Sequence, residues 1–191
     1  MVKKKLGNKY NFYAAPHPAI VAGTFVNQKP TYTPLGDFGI LCAYPLHVYI
    51  ASVHTHYLNQ GIIDNLTFSV NIPNEDNLEK LDYVGMVSGH KTDKSQVFKY
   101  FIGDLETAPM IEEFPVTMEC KVHKIERVGQ NDVFMAKVEN IYADEIYMEE
   151  EKLNIDKVNP ITLFMDLSYR TIGKVIGRSY QMGKNYLKKH P

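Results

Sequence analysis

Two long β-like stretches joined by a turn constrain the fold of this chain most strongly. In the first stretch, from Val116 to Val122, apolar residues occupy every second position. The second stretch, from Val133 to Val138, leads back from the turn-forming residues Gly129-Gln130-Asn131-Asp132. A period of two residues is typical of half-buried strands, and a short polar turn between two such strands indicates a hairpin. The sequence therefore predicts a long antiparallel hairpin.

Several shorter strands and a few short helices are predicted around this hairpin. The strands are Ala19–Val26, Thr31–Leu35, Ile40–Ala43, Leu46–Val53, Leu66–Ile72 and Ile161–Met165. A short helix is predicted over residues 59–65, and a second helix over residues 77–87, where apolar residues recur at helical spacing. Residues 148–157 fit either a short helix or a surface loop. Since strands and helices do not alternate, we expect a mainly β fold, an antiparallel barrel with a few short helices.

The length and charge of the chain limit the class of protein. A chain of 191 residues is expected to form a single domain, with residues 1–15 as a leader segment and residues 169–191 covering an end of the core. The net charge of −1 offers no broad basic surface for nucleic acid. There is neither a secretory signal nor an apolar run of the roughly 18 residues that a membrane helix needs. We therefore expect a soluble cytoplasmic protein that binds neither nucleic acid nor membrane.

The two cysteines are expected to be structural. Cys42 and Cys120 both lie in apolar runs, so both are predicted to be buried, reduced thiols. Neither a disulfide framework nor a zinc site fits so few cysteines at this spacing.

Polar residues follow the end of the strand Leu46–Val53. Ser52, His54, Thr55 and His56 place hydroxyl and imidazole groups within five positions. On a strand, His54 and His56 would point to the same side, which suits a zinc ion, but no third ligand is evident. A solvated strand end and an anion site are the other interpretations.

A second polar cluster lies further along the chain. Ser88-Gly89-His90-Lys91-Thr92-Asp93-Lys94 combines two lysines, two hydroxyl residues and a glycine. A compact turn of this composition can present backbone N–H groups and cations to one phosphate, although a charged surface loop has the same composition. No nucleophile motif of the Gly-x-Ser-x-Gly kind is found, which argues against covalent hydrolysis. Because His54 and His56 have no evident third ligand, we predict no metal site.

In order along the chain, these segments resemble the flavoredoxin-like branch of the flavin reductase family, the FMN-binding split-barrel proteins. The resemblance covers roughly residues 12 to 185. The matching segments are Pro16–Val21, Lys29–Thr33, Gly36–Leu41, Pro45–Ile50, His54–Ile63, Phe68–Pro73 and Ser88–Lys94. The family often has an arginine where this chain has His54, so the positive charge for a phosphate would come from His54, His56, Lys91 and Lys94.

The resemblance implies a fold, a cofactor and a site. It implies a six-stranded, antiparallel Greek-key split barrel that forms a homodimer, with FMN at the dimer interface. Because the flavin would carry the redox chemistry, it implies no catalytic residue. The flavin ring would lie against the backbone of residues 33–37 and of the strand ending at Val53, and the phosphate would meet residues 54–59 and 88–94. The cofactor-binding residues implied in this way are Thr33, Pro34, Leu35, Gly36, Asp37, Ala51, Ser52, Val53, His54, His56, Asn59, Ser88, Gly89, Lys91, Thr92 and Lys94.

Two functions follow from this resemblance. One is flavin reduction or electron transfer, with NAD(P)H or a redox protein as the electron donor. The other is a flavin-binding module that stores or relays flavin without turnover. A third, weaker interpretation fills the pocket with another anion, such as a haem propionate. In either flavin function the cofactor carries the redox chemistry, and the protein binds, orients and tunes it.

Overall fold

A computed structural model describes residues 2–7 and 15–190, which fold mainly into β-structure. The strands are β1 His17–Pro18, β2 Ile20–Val26, β3 Lys29–Leu35, β4 Phe38–Ala43, β5 Leu46–Val53, β6 Thr67–Ile72, β7 Tyr100–Phe101, β8 Met110–Ile111, β9 Val116–Val128, β10 Asn131–Ala143, β11 Met148–Glu149, β12 Lys152–Leu153, β13 Ile161–Leu163 and β14 Tyr169–Thr171. The helices are α1 Tyr57–Asn65, α2 Leu78–Met86, α3 Ile155–Val158 and α4 Gln181–Lys189.

Seven strands form one curled antiparallel sheet. Their order is β3-β2-β6-β9-β10-β5-β4, and β3 also contacts β5, so the sheet closes on itself as a barrel. The small sheets β1-β13-β14, β7-β8 and β11-β12 lie outside it. The predicted mainly β fold with an antiparallel barrel is therefore confirmed.

The predicted hairpin is the longest element of the sheet. Strands β9 and β10 each contain 13 residues, and Gly129 and Gln130 connect them. Gly129 has a φ of +57°, a left-handed conformation that glycine adopts without steric cost. The half of β9 nearest the turn, residues 123–128, is exposed because β6 pairs only with Val116–Lys121, while the adjoining half of β10 remains paired with β5.

Apolar side chains from the barrel strands fill its interior. Every second residue of β5 points inward, which buries Val48 and Ile50, and Phe68 and Phe134 are fully buried from the facing strands. Helix α1 closes one side of the barrel because it packs closely against β2. A Cβ atom on Gly61 would overlap the carbonyl oxygen of Phe25.

A second apolar layer covers the outer face of β2 and β3. Tyr32 and Phe98 meet edge to face at 5.2 Å, and Phe98 and Phe114 meet in the same way at 5.4 Å. Leu81 and Val84 of α2 complete this layer. Helix α2 is therefore held against β3, and its C-terminal end lies beside the polar loop that starts at Ser88.

The prediction that both cysteines are buried is wrong for Cys42. Cys120 is fully buried in β9, and burial raises the pKa of its thiol. Cys42, in contrast, is exposed on β4, the edge strand of the sheet. A register shift between Ile40 and Cys42 leaves Leu41 without a partner on β5, although Cys42 still pairs with His47. Residues 40–43 are all exposed, so this apolar run does not face the barrel interior.

The two ends of the chain differ from the interior. Residues 2–7 are exposed, while Met1, residues 8–14 and Pro191 lie outside the described residues, as does most of the predicted leader. Of the predicted covering segment, only Tyr169–Thr171 pairs with the body, through β13. Residues 173–190 are all exposed, and α4 buries none of its residues, so among the described residues this segment does not cover the core. None of the helices in the described residues is long and apolar enough to span a membrane.

Candidate functional site

A cavity of about 350 Å³ lies between β3, the turn after β5 and the C-terminal end of α2. We call it the strand cavity. Its walls are Thr33, Pro34, Thr55, His56, Tyr57, Val84, Gly85, Met86, Val87, Ser88, Gly89, His90 and Lys94. Its volume falls within the range of roughly 300–1,000 Å³ that small-molecule sites occupy.

The turn that follows β5 brings a helix N-terminus to this cavity. His56 is the N-cap residue of α1 and forms no side-chain bond to the helix backbone. Its ring instead bonds the Ser52 hydroxyl, with 3.0 Å between Nδ1 and Oγ. The first N–H groups of α1 therefore receive no side-chain cap, and uncapped groups of this kind favour an anion.

Lys94 supplies a buried cation to the same wall. Its side chain is only 5% exposed, and Nζ donates to the carbonyl oxygens of Tyr32 at 3.0 Å and Val84 at 2.7 Å. Burial lowers the pKa of Lys94 to about 8. An ammonium has three N–H donors, so one remains for a ligand.

His56 is a weak source of positive charge. Its burial, together with the neighbouring Lys94 ammonium, lowers the pKa of the imidazole. Both effects disfavour the charged imidazole in the protein without a ligand, so Lys94 is the stronger candidate for a phosphate contact.

The loop from Ser88 to Lys94 folds on itself. The carbonyl oxygen of Ser88 accepts the backbone N–H groups of Lys91 and Thr92, both at 2.9 Å, and its hydroxyl accepts the N–H of His90 at 3.3 Å. These three N–H groups are therefore occupied within the loop and are not available to a phosphate in this conformation. The loop is tied to the turn after β5, since His90 Nε2 lies 3.0 Å from the carbonyl oxygen of Thr55.

A second cavity, which we call the lysine cleft, lies on the other side of this loop. It has a volume of about 260 Å³ and is lined by Val26, Lys29, Pro30, Thr31, Tyr57, Gly89, His90, Lys91, Thr92, Asp93 and Lys94. Lys29 Nζ lies 2.7 Å from Asp93 Oδ2, and this ion pair, with bonds from Ser95, holds the pKa of Asp93 well below its usual range. Lys94 borders both cavities, so its ammonium lies at their common wall.

The structure brings together about half of the residues implied by the resemblance. Thr33, Pro34, His56, Ser88, Gly89 and Lys94 line the strand cavity, and Lys91 and Thr92 line the lysine cleft. The residues that line neither cavity are Leu35, Gly36, Asp37, Ala51, Ser52, Val53, His54 and Asn59. Among these, Leu35 belongs to the barrel core, whereas Ala51 and Val53 are half-buried on β5 and Asp37 is exposed.

Two of the implied phosphate ligands are occupied elsewhere. Asn59 is buried, and its amide donates to the carbonyl oxygen of Val53 at 3.2 Å and to Asp132 at 3.1 Å. The ring of His54 lies 3.0 Å from the carbonyl oxygen of Gln130. Strand β5 ends at Val53, so His54 and His56 do not share a strand face, contrary to the expectation.

Some wall residues were not identified from the sequence. The end of α2, from Gly85 to Val87, lines the strand cavity because α2 packs on β3. Lys29 reaches the lysine cleft through its ion pair with Asp93, which is 64 positions away. No local motif indicates either contact, since both depend on tertiary packing.

Other features of the described residues do not provide an alternative site. Among them, no group of three or more histidine, cysteine, aspartate or glutamate residues could hold a metal ion. A wider cavity of about 570 Å³ lies near the ion pair of Lys80 and Glu113, and none of the implied residues lines it.

Comparisons with known proteins identify the family. The model of the flavin reductase like domain matches residues 12–173. The solved structure of flavoredoxin from Methanosarcina acetivorans is 35% identical, with a TM-score of 0.92 over 97% of this chain and 100% of that chain. The flavoredoxin of Desulfovibrio vulgaris (Miyazaki F) is 24% identical, with a TM-score of 0.84 over 95% and 100%. A search of the curated proteins finds no match.

A more distant structure has the same fold. The FMN-binding protein from Thermus thermophilus with bound 1-cyclohex-2-enone is 16% identical, with a TM-score of 0.77 over 93% of this chain and 98% of that chain. The predicted split barrel is therefore confirmed. The chain belongs to the flavin reductase-like family, and its function is that of a flavin-binding reductase or electron-transfer protein.

Proposed function

We propose that this protein is a cytoplasmic homodimer that binds FMN, with the phosphate in the strand cavity, and takes electrons from NAD(P)H or from a redox protein. The observation that carries the proposal is the Lys94 ammonium, which is almost fully buried beside the uncapped first turn of α1. The N–H of Asn59 donates to the carbonyl oxygen of His56, but no side chain caps the first turn of α1. A buried cation beside a helix N-terminus without a side-chain cap favours a ligand that brings negative charge. FMN brings it as a phosphate.

The strand cavity has polar walls that suit the phosphate of FMN and apolar walls that suit the rest of the ligand. The polar end holds Lys94 and Ser88, which suit the phosphate, and Pro34 and Met86 offer apolar surface to the rest of the ligand. The ring would extend from the cavity along the surface of β5. Ala51 and Val53 are half-buried there in a single chain, and we propose that the ring and a second copy cover them.

The residues of this chain bind and orient the cofactor. Bound FMN supplies the redox chemistry, because the isoalloxazine ring accepts a hydride or single electrons. Lys94 and the first turn of α1 would fix the phosphate, and the polar backbone around Thr33 would hold the edge of the ring. No side chain is required to transfer a proton, so we propose no catalytic residue.

An anaerobic reduction experiment tests the reductase function. The FMN-loaded protein is mixed with NADH or with NADPH in the absence of oxygen, and the absorbance of oxidised flavin is followed. Bleaching by either nicotinamide at a rate well above that of free FMN supports the reductase. If neither reduces the flavin and no reduced redox protein does so, the protein is a flavin carrier.

A further inference from the structure

The last part of the chain forms an exposed arm. Every residue from 173 to 190 is exposed, and we call this segment the C-terminal arm. Six of its large apolar side chains are more than half exposed, namely those of Val175, Ile176, Tyr180, Met182, Tyr186 and Leu187. Exposed apolar side chains that lie close together on a surface often mark an interaction site.

The arm is also strongly basic. It contains Lys174, Arg178, Lys184, Lys188 and Lys189, and no acidic residue follows Asp166. In α4 the helical period places Met182, Tyr186 and Leu187 on one side. By the same period Lys184 and Lys189 flank this apolar side, and Lys188 lies opposite to it. The partner surface should therefore be apolar with a negative rim.

The same protein contains a surface with this chemistry. Residues 144–156, which we call the acidic segment, include six acidic residues and a single lysine: Asp144, Glu145, Glu149, Glu150, Glu151, Asp156 and Lys152. The segment also exposes apolar side chains, with Ile146 at 66%, Ile155 at 51% and Leu153 at 37%. Apolar side chains with acidic neighbours on one surface are the complement of the arm.

We infer that the C-terminal arm of one copy docks on the acidic segment of a second copy, and that the second arm docks reciprocally. Within one chain the arm is exposed and so is the acidic segment, so neither covers the other. A twofold dimer repeats every contact, so exchange of two arms would bury both surfaces twice. Charge complementarity of this kind sets which partner is chosen and in which orientation. This inference rests on the homodimer of the proposed function.

A pair of charge-reversal variants tests the docking. The arm variant carries Lys184→Glu and Lys189→Glu, and the segment variant carries Glu150→Lys and Glu151→Lys, all at exposed positions. Each variant alone would bring like charges together in both docking sites. We expect the dissociation constant of the dimer, measured by sedimentation, to rise at least about tenfold for each variant.

Mixing the two variants separates exchange from docking within one chain. In a heterodimer, the negative arm meets the positive segment and the positive arm meets the negative segment, so both sites regain opposite charges. We expect the mixture to form heterodimers, detected by native mass spectrometry, with an affinity near that of the wild type. Two weakened variants that do not recover on mixing would contradict the exchange of arms.

The opposite face of α4 provides a matched control. A variant with Gln181→Glu and Lys188→Glu places two glutamates on the side away from the apolar face, and we expect its dimer affinity to be unchanged. An equal loss in this control would show an effect of net charge alone and would overturn the inference.

Three further outcomes would also overturn it. If both reversal variants dimerise with the affinity of the wild type, the arm does not contribute to the interface, although the protein is still a homodimer. A monomeric wild type at micromolar concentration would remove the homodimer as well, while flavin titrations would still test the cofactor. Binding of the wild type to vesicles that contain phosphatidylserine, lost in the arm variant without a change in dimer affinity, would assign the arm to a membrane surface.

Discussion

Replacement of Lys94 by methionine tests the proposed phosphate contact. Methionine keeps an unbranched side chain but removes the ammonium that lies at the common wall of the two cavities. A hydrogen bond to a charged group contributes about 1.5–3 kcal/mol. Since about 1.4 kcal/mol is a factor of ten in affinity, FMN should bind roughly 10- to 150-fold more weakly. Riboflavin has no phosphate, so its affinity should change far less.

The stability of this variant should change little, because two large terms oppose each other. Burial lowers the pKa of Lys94 from 10.5 to about 8, so holding the charged form in the fold costs about 3 kcal/mol at neutral pH. Its removal relieves that cost but leaves the carbonyl oxygens of Tyr32 and Val84 without a donor, at about 1–3 kcal/mol each. A large loss of FMN affinity would therefore not reflect unfolding.

The same lysine predicts a pH dependence. Only the protonated form attracts the phosphate, and bound FMN should raise the pKa of Lys94 above its value of about 8 in the free protein. The affinity for FMN should be constant from about pH 7 to about pH 8 and then fall as the pH rises further. Riboflavin affinity should show no such fall, and neither should FMN affinity in Lys94→Met.

Paired titrations of FMN and riboflavin, followed by flavin fluorescence, measure these effects in the wild type and in Lys94→Met. Lys91→Met is the matched control, because Lys91 is an exposed lysine of the same loop that lines only the lysine cleft. Equal losses for the two ligands would mean that Lys94 supports the fold of the site, not the phosphate. A loss of FMN affinity only in the Lys91 variant would place the phosphate in the lysine cleft.

Three further predictions concern stability and reactivity. Gly61→Ala should destabilise the protein by about 1–3 kcal/mol in urea unfolding, although alanine favours helices, because the added Cβ overlaps the Phe25 carbonyl oxygen; a gain in stability would mean that α1 does not pack this closely on β2. Glu119→Gln should destabilise by about 1–3 kcal/mol near neutral pH, because this buried carboxylate accepts the N–H groups of Asp104 and Leu105. Burial raises the pKa of Glu119, but its hydrogen bonds outweigh burial, so the pKa in the folded protein is lowered. The contribution of Glu119 to stability should therefore be present above its unfolded-state pKa and be lost as the pH falls through its folded-state pKa. Equal stability of Glu119→Gln and the wild type at neutral pH would refute this prediction. A thiol reagent should modify exposed Cys42 in the native protein and reach buried Cys120 only after unfolding, and prompt modification of both thiols would contradict the fold.

The sequence predicted the elements whose pattern is local. The alternation in β9, the apolar run of β5 and the spacing of Leu81 and Val84 in α2 each reflect one buried face, and such a face leaves a periodic signal. The position of Cys42 could not be predicted in this way, because a register shift at an edge strand depends on the pairing partner.

The candidate site could be predicted only in part, because many of its contacts also depend on residues far apart in the sequence. The residues of loop 88–94 were identified by composition, but the N–H groups of His90, Lys91 and Thr92 bond to Ser88 within the loop, which composition does not reveal. The sequence indicated Asn59 as a phosphate donor, but its amide donates to Asp132, which is 73 positions away. The exposure of residues 173–190 likewise depends on where the chain lies after β14.

The absorbance spectrum of the protein as isolated, with identification of the released chromophore, tests the central claim most directly. We expect the absorption bands of an oxidised flavin, and release of FMN, not FAD or riboflavin, when the protein is denatured. If the purified protein is colourless, it should acquire this spectrum on addition of FMN. A haem spectrum, or no binding of added FMN, would contradict the account.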